Sequence, residues 1–297
     1  MNMRIAVTGS AGLIGRAFLQ AARDRSWDAR GLDLRASGDE HGDIRQREAD
    51  LRLCEGRDGV VHLAAVSRVL EAESDPEHCW DVNVRGTTTL LDAARAQGCR
   101  WLLYASSREV YGQATSFPVA ENAPLCPVNQ YGRSKLAAER AVGSFGASIR
   151  LSNVYGSVHD YADRVVPAYI QAARNGRPLR VDGADSAFDF VHLDDAVSGL
   201  LAACLLLQSG SRPQPLQLTT GTATELASLA RLVAELVGVA PNLEFGPPRA
   251  CDVHRFCGSP VAAFLTLGWF PRVALREGLQ CLIADYVGDP SPSRHGP

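Results

Sequence analysis

Arg4-Ile5-Ala6-Val7-Thr8-Gly9-Ser10-Ala11-Gly12-Leu13-Ile14-Gly15 decides the fold of this chain. A short apolar run ends in glycines spaced G-x-x-G-x-x-G. It then opens into Leu13 to Arg23, where Ile14, Phe18, Leu19 and Ala22 share one helical face. Strand, glycine turn and helix in that order make a pyrophosphate cradle. Gly9 permits the tight turn. Gly12 lets the anion reach the free N–H groups at the helix N-terminus, beside Leu13 and Ile14. Gly15 lets the helix pack close to the sheet. Asp33 follows 18 positions after Gly15, at the end of a second strand, Arg30-Gly31-Leu32-Asp33. A carboxylate there accepts from the adenosine ribose hydroxyls and repels a 2′-phosphate, so the expected cofactor is NAD. Arg16 and Arg35 lie close enough to keep NADP open.

The first half of the chain continues this rhythm. Gly59-Val60-Val61-His62-Leu63, Trp101-Leu102-Leu103-Tyr104-Ala105 and Ser148-Ile149-Arg150-Leu151 read as strands. Between them a long helix is expected from Pro76 to about Ala96, with Trp80, Val84, Leu91 and Ala94 at helical spacing, and another from near Tyr131 to Val142. Alternating strands and helices predict an α/β fold: a doubly wound parallel Rossmann sheet. From about Asn153, Pro and Gly become frequent and the alternation less regular. This predicts a dinucleotide domain over residues 1–153, a smaller α/β substrate lobe over 154–285 partly interleaved with it, and a flexible tail over 286–297.

The 297 residues are 46% hydrophobic and 21% charged, with a formal net charge of -3, as in an ordinary globular enzyme with no basic field for nucleic acid. Arg45, Arg47, Arg52 and Arg57 alternate with Glu48, Asp50, Glu55 and Asp58, a solvated face. No apolar run reaches the ~20 residues of a membrane span; Ala196 to Leu207 reads as a buried helix. Met1 to Arg4 is read as leaving no room for a signal peptide, so a cytoplasmic protein with reduced thiols is expected. The eight cysteines contain no C-x-x-C pair, and no metal is expected.

Tyr131-Gly132-Arg133-Ser134-Lys135 carries the chemistry. Residues four apart share a helix face, so the lysine ammonium lies one turn from the phenol. A phenol titrates near ~10, and a neighbouring cation favours its phenolate, the form able to act as a base. His62 and His192 are read as structural, His62 as a core residue bonded to backbone. Trp80 and Trp269 are read as packing.

Taken with the glycine turn, these residues resemble the extended short-chain dehydrogenase/reductases, specifically the NAD-dependent nucleotide-sugar epimerase/dehydratase family, from Met3 to about Leu282. The resemblance implies that Gly42-Asp43-Ile44-Arg45 is the pair-bearing segment after the third strand, with Asp43 and Ile44 flanking the adenine; Asp50-Leu51 is the other register. His62-Leu63-Ala64-Ala65 resembles the fourth-strand motif, which lays Leu63, Ala64 and Ala65 along the cofactor. Asn83-Val84-Arg85-Gly86-Thr87 matches Asn-x-x-Gly-Thr and puts Asn83 with the cofactor residues. Ala105-Ser106-Ser107-Arg108-Glu109-Val110-Tyr111-Gly112 makes Ser107 the catalytic serine, with Ser106 on the cofactor side. Arg150-Leu151-Ser152-Asn153-Val154-Tyr155-Gly156 implies Leu151 in the nicotinamide pocket and Asn153 on the substrate diphosphate or sugar. Asp189-Phe190-Val191-His192-Leu193-Asp194-Asp195 belongs to the second lobe, and Arg249 is implied for the nucleotide diphosphate. Leu267-Gly268-Trp269-Phe270-Pro271, then Leu275-Arg276-Glu277-Gly278-Leu279, resembles the C-terminal signature.

Two positions depart from the family pattern. Phe188 stands where many members have an arginine for the diphosphate. Glu109 occupies the place of the catalytic glutamate of dehydratases and decarboxylases, but the aspartate that precedes it in dehydratases is Arg108 here.

By the resemblance, Tyr131 takes the hydroxyl proton, Lys135 holds the phenolate and binds the nicotinamide ribose, and Ser107 orients the substrate oxygen. The expected function is NAD-dependent modification of a nucleotide sugar through a transient keto intermediate. A one-way dehydrogenase or reductase of a sugar or other carbonyl, and a non-catalytic dinucleotide-sensing module, remain as alternatives. A homodimer paired through the Pro76–Ala96 and Tyr131–Val142 helices is expected. Leu90, Leu91 and Ala138 permit this, although burial within one subunit explains them equally.

Overall fold

The computed structural model describes residues 3–288. In chain order the strands are β1 (Arg4–Thr8), β2 (Asp28–Leu32), β3 (Gly59–His62), β4 (Trp101–Ser107), β5 (Gly146–Leu151) and β6 (Asn153–Tyr155), then β7 (Leu179–Asp182), β8 (Ala187–His192), β9 (Leu216–Leu218), β10 (Ala223–Glu225) and β11 (Leu243–Gly246). The helices are α1 (Leu13–Asp24), α2 (Arg47–Cys54), α3 (Val69–Ser74), α4 (Pro76–Trp80), α5 (Thr87–Ala96) and α6 (Gln130–Val142), then α7 (Val165–Arg174), α8 (Leu193–Gln208), α9 (Leu226–Val237), α10 (Val261–Leu267) and α11 (Leu275–Gly288).

Six strands form one parallel sheet in the order β2-β1-β3-β4-β5-β9. The chain leaves β1 toward one edge and returns to pair β3 on its other side. A crevice therefore opens at the carboxyl ends of β1 and β3. The central strands β1, β3 and β4 are buried on both faces along nearly their whole length, which is why they read as continuous apolar runs, whereas the edge strand β2 is exposed at Asp28 and Arg30. One face packs Phe18 and Leu19 of α1 with Val197, Leu200 and Leu201 of α8. The other packs Leu53 of α2 with Leu90, Leu91 and Ala94 of α5 and Ala138 and Val142 of α6. Leu90, Leu91 and Ala138 are thus buried within this chain, and the exposed positions of α5 and α6 are polar residues such as Thr88, Asp92, Arg133 and Arg140.

The later part of the chain crosses back. β9 supplies the sixth strand of the main sheet and α8 covers that sheet's underside. The remainder builds a three-stranded sheet, β10-β8-β6, and a two-stranded one, β11-β7, over a core that includes Tyr169, Leu229, Phe256 and Leu282.

Several elements differ from the sequence expectation. The Pro76–Ala96 helix is continuous but contains a π-helical stretch over Asp81–Gly86. A π turn rotates the face that follows it. Trp80 therefore lies outside the apolar stripe and is 42% exposed, not packed. The strand expected ahead of Gly42-Asp43 is a single bridge, Asp33 to His41. Residues 286–288 finish α11, with Tyr286 buried, so they are not part of a tail; residues 289–297 lie outside the described residues. Among the described residues, no helix is long and apolar enough to cross a membrane.

Candidate active site

The glycine turn is built as its spacing demands. Gly9 has φ +71°, and a Cβ there would sit 2.6 Å from the Ala64 nitrogen. A Cβ on Gly15 would collide with the Gly9 carbonyl. These two glycines bring α1 down onto the end of β1 and leave Gly12 as the N-cap, facing the crevice. Asp33 is buried beside the turn. Its Oδ2 accepts from the Ala11 N–H at 3.0 Å, and its Oδ1 accepts from the Arg35 N–H at 2.8 Å and Nε at 3.3 Å. Arg35 is therefore paired with this carboxylate, and the Arg16 Nε donates to the Ala11 carbonyl. The carboxylate beside the turn fits the hydroxyls of NAD and opposes an additional phosphate.

A cavity of about 850 Å³ runs from this turn to the second lobe. Gly9, Gly12, Leu13, Ile14, Gly15, Asp33, Asp43, Ile44, Leu63, Ala64, Ala65, Ser106 and Leu151 line it, as do Ser107, Glu109, Tyr131, Lys135, Asn153 and Arg249. Asp43 is bound by Arg45 at 2.6 Å, which holds its carboxyl below the usual range. Asp50, the other register, is fully buried in α2 with both oxygens unpartnered, and burial pushes it up to about 8.

Asn83 is the exception among the expected cofactor residues: it does not line the cavity. Its Oδ1 accepts from the Val66 N–H at 2.8 Å, and its Nδ2 donates to the Val66 carbonyl at 3.0 Å and to Ser134 Oγ at 2.9 Å. It fixes the loop after β3 against α6. His62 is buried but bonds to side chains rather than backbone, with Thr8 Oγ1 at 2.7 Å and Thr87 Oγ1 at 2.9 Å. Burial and the Lys135 charge pull it down to about 3, so it stays neutral. His192 caps α8 by accepting from the Asp194 N–H. Trp269 is buried and donates to the Asp195 carbonyl at 2.9 Å.

β4 runs two residues further than its apolar run and delivers Ser106 and Ser107 to the crevice. Asn129 caps α6 through the Gly132 N–H at 2.7 Å and so sets the helix carrying Tyr131 and Lys135. Beneath them lies a buried network. Ser106 Oγ donates to Glu139 at 2.7 Å, Arg150 donates to Glu139 at 2.6 Å, and Arg150 donates to Tyr111 Oη at 2.9 Å.

Burial raises the Tyr131 phenol above its ordinary value; the Ser107 side chain and the Arg164 charge pull it back. Lys135 was expected to hold that phenol low. Instead burial lowers the Lys135 ammonium itself to about 7. A dry pocket favours the neutral form of both groups.

Glu109 is buried with both carboxylate oxygens engaged. Arg108 Nη2 lies 3.0 Å from Oε1, and Asn129 Nδ2 donates to Oε2 at 2.8 Å. Arg249 pairs with Asp252 at 2.9 Å on the far wall. Arg68, Arg164 and Asp252 also line the cavity, and sequence reading missed them. Arg164 donates to Ser67 Oγ at 3.1 Å across from the loop after β3. Asp252 lies three residues from Arg249, a spacing that offered a signal; Arg164 lies in a loop with none.

Residues 5–218 match the family described as "NAD dependent epimerase/dehydratase family". The UDP-glucose 4-epimerase of Mycolicibacterium smegmatis is 32% identical over 305 residues, covering 93% of this chain and 96% of that protein. MoeE5, solved in complex with UDP-glucuronic acid and NAD, is 28% identical with a TM-score of 0.87, over 95% of this chain and 98% of its own. DesIV, a dTDP-glucose 4,6-dehydratase from Streptomyces venezuelae solved with NAD and TYD bound, is 25% identical with a TM-score of 0.87, over 97% and 98%. The chain is an NAD-dependent enzyme and belongs to the NAD dependent epimerase/dehydratase family.

Proposed function

We propose that this enzyme epimerises a nucleotide sugar: it oxidises one ring carbon to a ketone, lets the ketone turn, and restores the hydrogen on the other face. The observation that carries the choice of epimerase over dehydratase is the state of Glu109. A dehydratase needs a carboxylate free to remove a proton beside the ketone, with an acid partner for the leaving hydroxyl. Here both Glu109 oxygens are bound, and the preceding residue is a guanidinium that cannot donate a proton at working pH.

Tyr131 takes the substrate hydroxyl proton and later returns it. Ser107 orients the same oxygen, and Lys135 holds the nicotinamide ribose and the phenolate. NAD, when bound, would supply the hydride acceptor and donor, and its oxidised ring a positive charge that favours the phenolate. Gly9, Gly12, Leu13, Ile14 and Gly15 hold its pyrophosphate, Asp33 its adenosine ribose, Asp43 and Ile44 its adenine, and Leu63, Ala64, Ala65, Ser106 and Leu151 its length. Asn153 and Arg249 bind the substrate.

We place cofactor binding in residues 1–153 and substrate binding in 154–285, with β9 and α8 returning to the first unit. Eight free thiols suit a reducing compartment, so we assign the protein to the cytoplasm. A homodimer across α5 and α6 would pair through their polar faces.

Purified protein incubated with UDP-, dTDP- and GDP-linked sugars should give isomers by NMR without net NADH. Stoichiometric NADH instead would favour a one-way dehydrogenase. No conversion and no binding across the panel would overturn the reading.

A further inference from the structure

The two departures from the family pattern touch each other. The Arg108 guanidinium stacks on Phe188, 4.6 Å from its ring centroid, and lies 5.8 Å from that of Phe256. It lines the cavity directly after Ser107, with its side chain 11% exposed. Nε donates to Asn153 Oδ1 at 2.7 Å and Nη2 faces Glu109. Nη1 is buried with no hydrogen-bond partner. A buried donor left unpaired is costly, and the N–H groups of Nη1 suit an oxyanion. Meanwhile β8 presents an aromatic ring at the position where the family pattern places an arginine.

We infer that Arg108 is the substrate-recognition residue that replaces the missing arginine of β8, with Phe188 as its stacking floor, and that it binds an anionic oxygen of the nucleotide sugar. The inference rests on the nucleotide-sugar reading above. The oxygen belongs either to the diphosphate or to a carboxylate on the sugar; both offer a charged acceptor for the unpaired Nη1 donor. Glu109 then serves as the counterion that holds the guanidinium in place.

The test is calorimetric titration of NAD-loaded protein with UDP, UDP-glucose and UDP-glucuronate, together with the best-bound dTDP or GDP sugar and its parent diphosphate. Arg108→Gln should weaken binding about 10–100-fold. Loss shared by the free diphosphate and all its sugars identifies the diphosphate. Loss confined to the uronate identifies the carboxylate. Arg108→Lys keeps the charge that Glu109 requires but loses the fork, so it tests the point even where the Gln variant is too unstable. Adding Phe188→Arg to Arg108→Gln should recover diphosphate affinity, a rescue that a merely structural role would not produce. Unchanged affinity for every ligand in both single variants overturns the inference. Failure of the wild type to bind any of them counts against the nucleotide-sugar reading itself.

Discussion

The Lys135 ammonium lies 4.3 Å from the centroid of the Tyr104 ring, in a pocket that leaves the lysine 3% exposed. The ring face offsets part of the charge's lost hydration but not all of it, because burial still lowers the group to about 7. In the unfolded chain the same amine titrates near ~10.4. Between these values the unfolded chain holds a proton that the folded chain lacks, so the stability of the cofactor-free protein should rise as pH rises from about 7 toward 10. Lys135→Met removes the buried amine. It should flatten that slope and raise the unfolding midpoint at pH 7, by denaturant titration. Parallel stability profiles for the two proteins would contradict the assigned burial.

Tyr131→Phe removes the hydroxyl and little else. The ring still fills its place on α6, so NAD affinity and the unfolding midpoint should stay near wild type. Turnover should fall about 10²–10⁴-fold, the ordinary weight of a positioned proton-transfer group. Rate and cofactor affinity measured on one preparation separate loss of the base from loss of the fold. A variant retaining a tenth or more of the activity would exclude Tyr131 as the base.

The sheet and the glycine turn were legible because their determinants are local. Gly9 answers to positive φ and close backbone approach, Gly15 to close approach alone, and the central strands β1, β3 and β4 carry buried apolar runs. The return of β9 to the first sheet was less visible, since three residues, Leu216–Leu218, give no periodicity to read. Asn83 shows where a matched motif fell short. Its sequence context pointed to the cofactor, but the side chain is consumed by Val66 and Ser134, a tertiary arrangement with no local signature. Arg108 and Phe188 are 80 positions apart, so their contact was beyond any spacing rule.

Asp33 binds both the glycine turn and Arg35. Asp33→Asn keeps an oxygen for the Ala11 N–H but removes the charge that repels a 2′-phosphate and pairs with Arg35. NAD should bind about tenfold more weakly, on the order of one charge-assisted hydrogen bond, while NADP affinity rises. Fluorescence titration with each dinucleotide reads the ratio. An unchanged preference would mean that Asp33 acts only to brace the loop.

Glu109 separates the two chemistries that the family name joins. In an epimerase its carboxylate is a counterion for Arg108, so Glu109→Gln should change turnover less than about fivefold, since the Tyr131 proton transfer is untouched. In a dehydratase the same substitution removes the base and should cost about 10² or more. Stability moves the opposite way. Arg108 loses its buried partner, and breaking such a pair destabilises by about 3–5 kcal/mol. The epimerase reading therefore predicts a protein that melts early yet works well at low temperature. Activity assayed at 15 °C, with the folded fraction checked by circular dichroism, distinguishes this from a stable but inactive variant, which would return Glu109 to the chemistry.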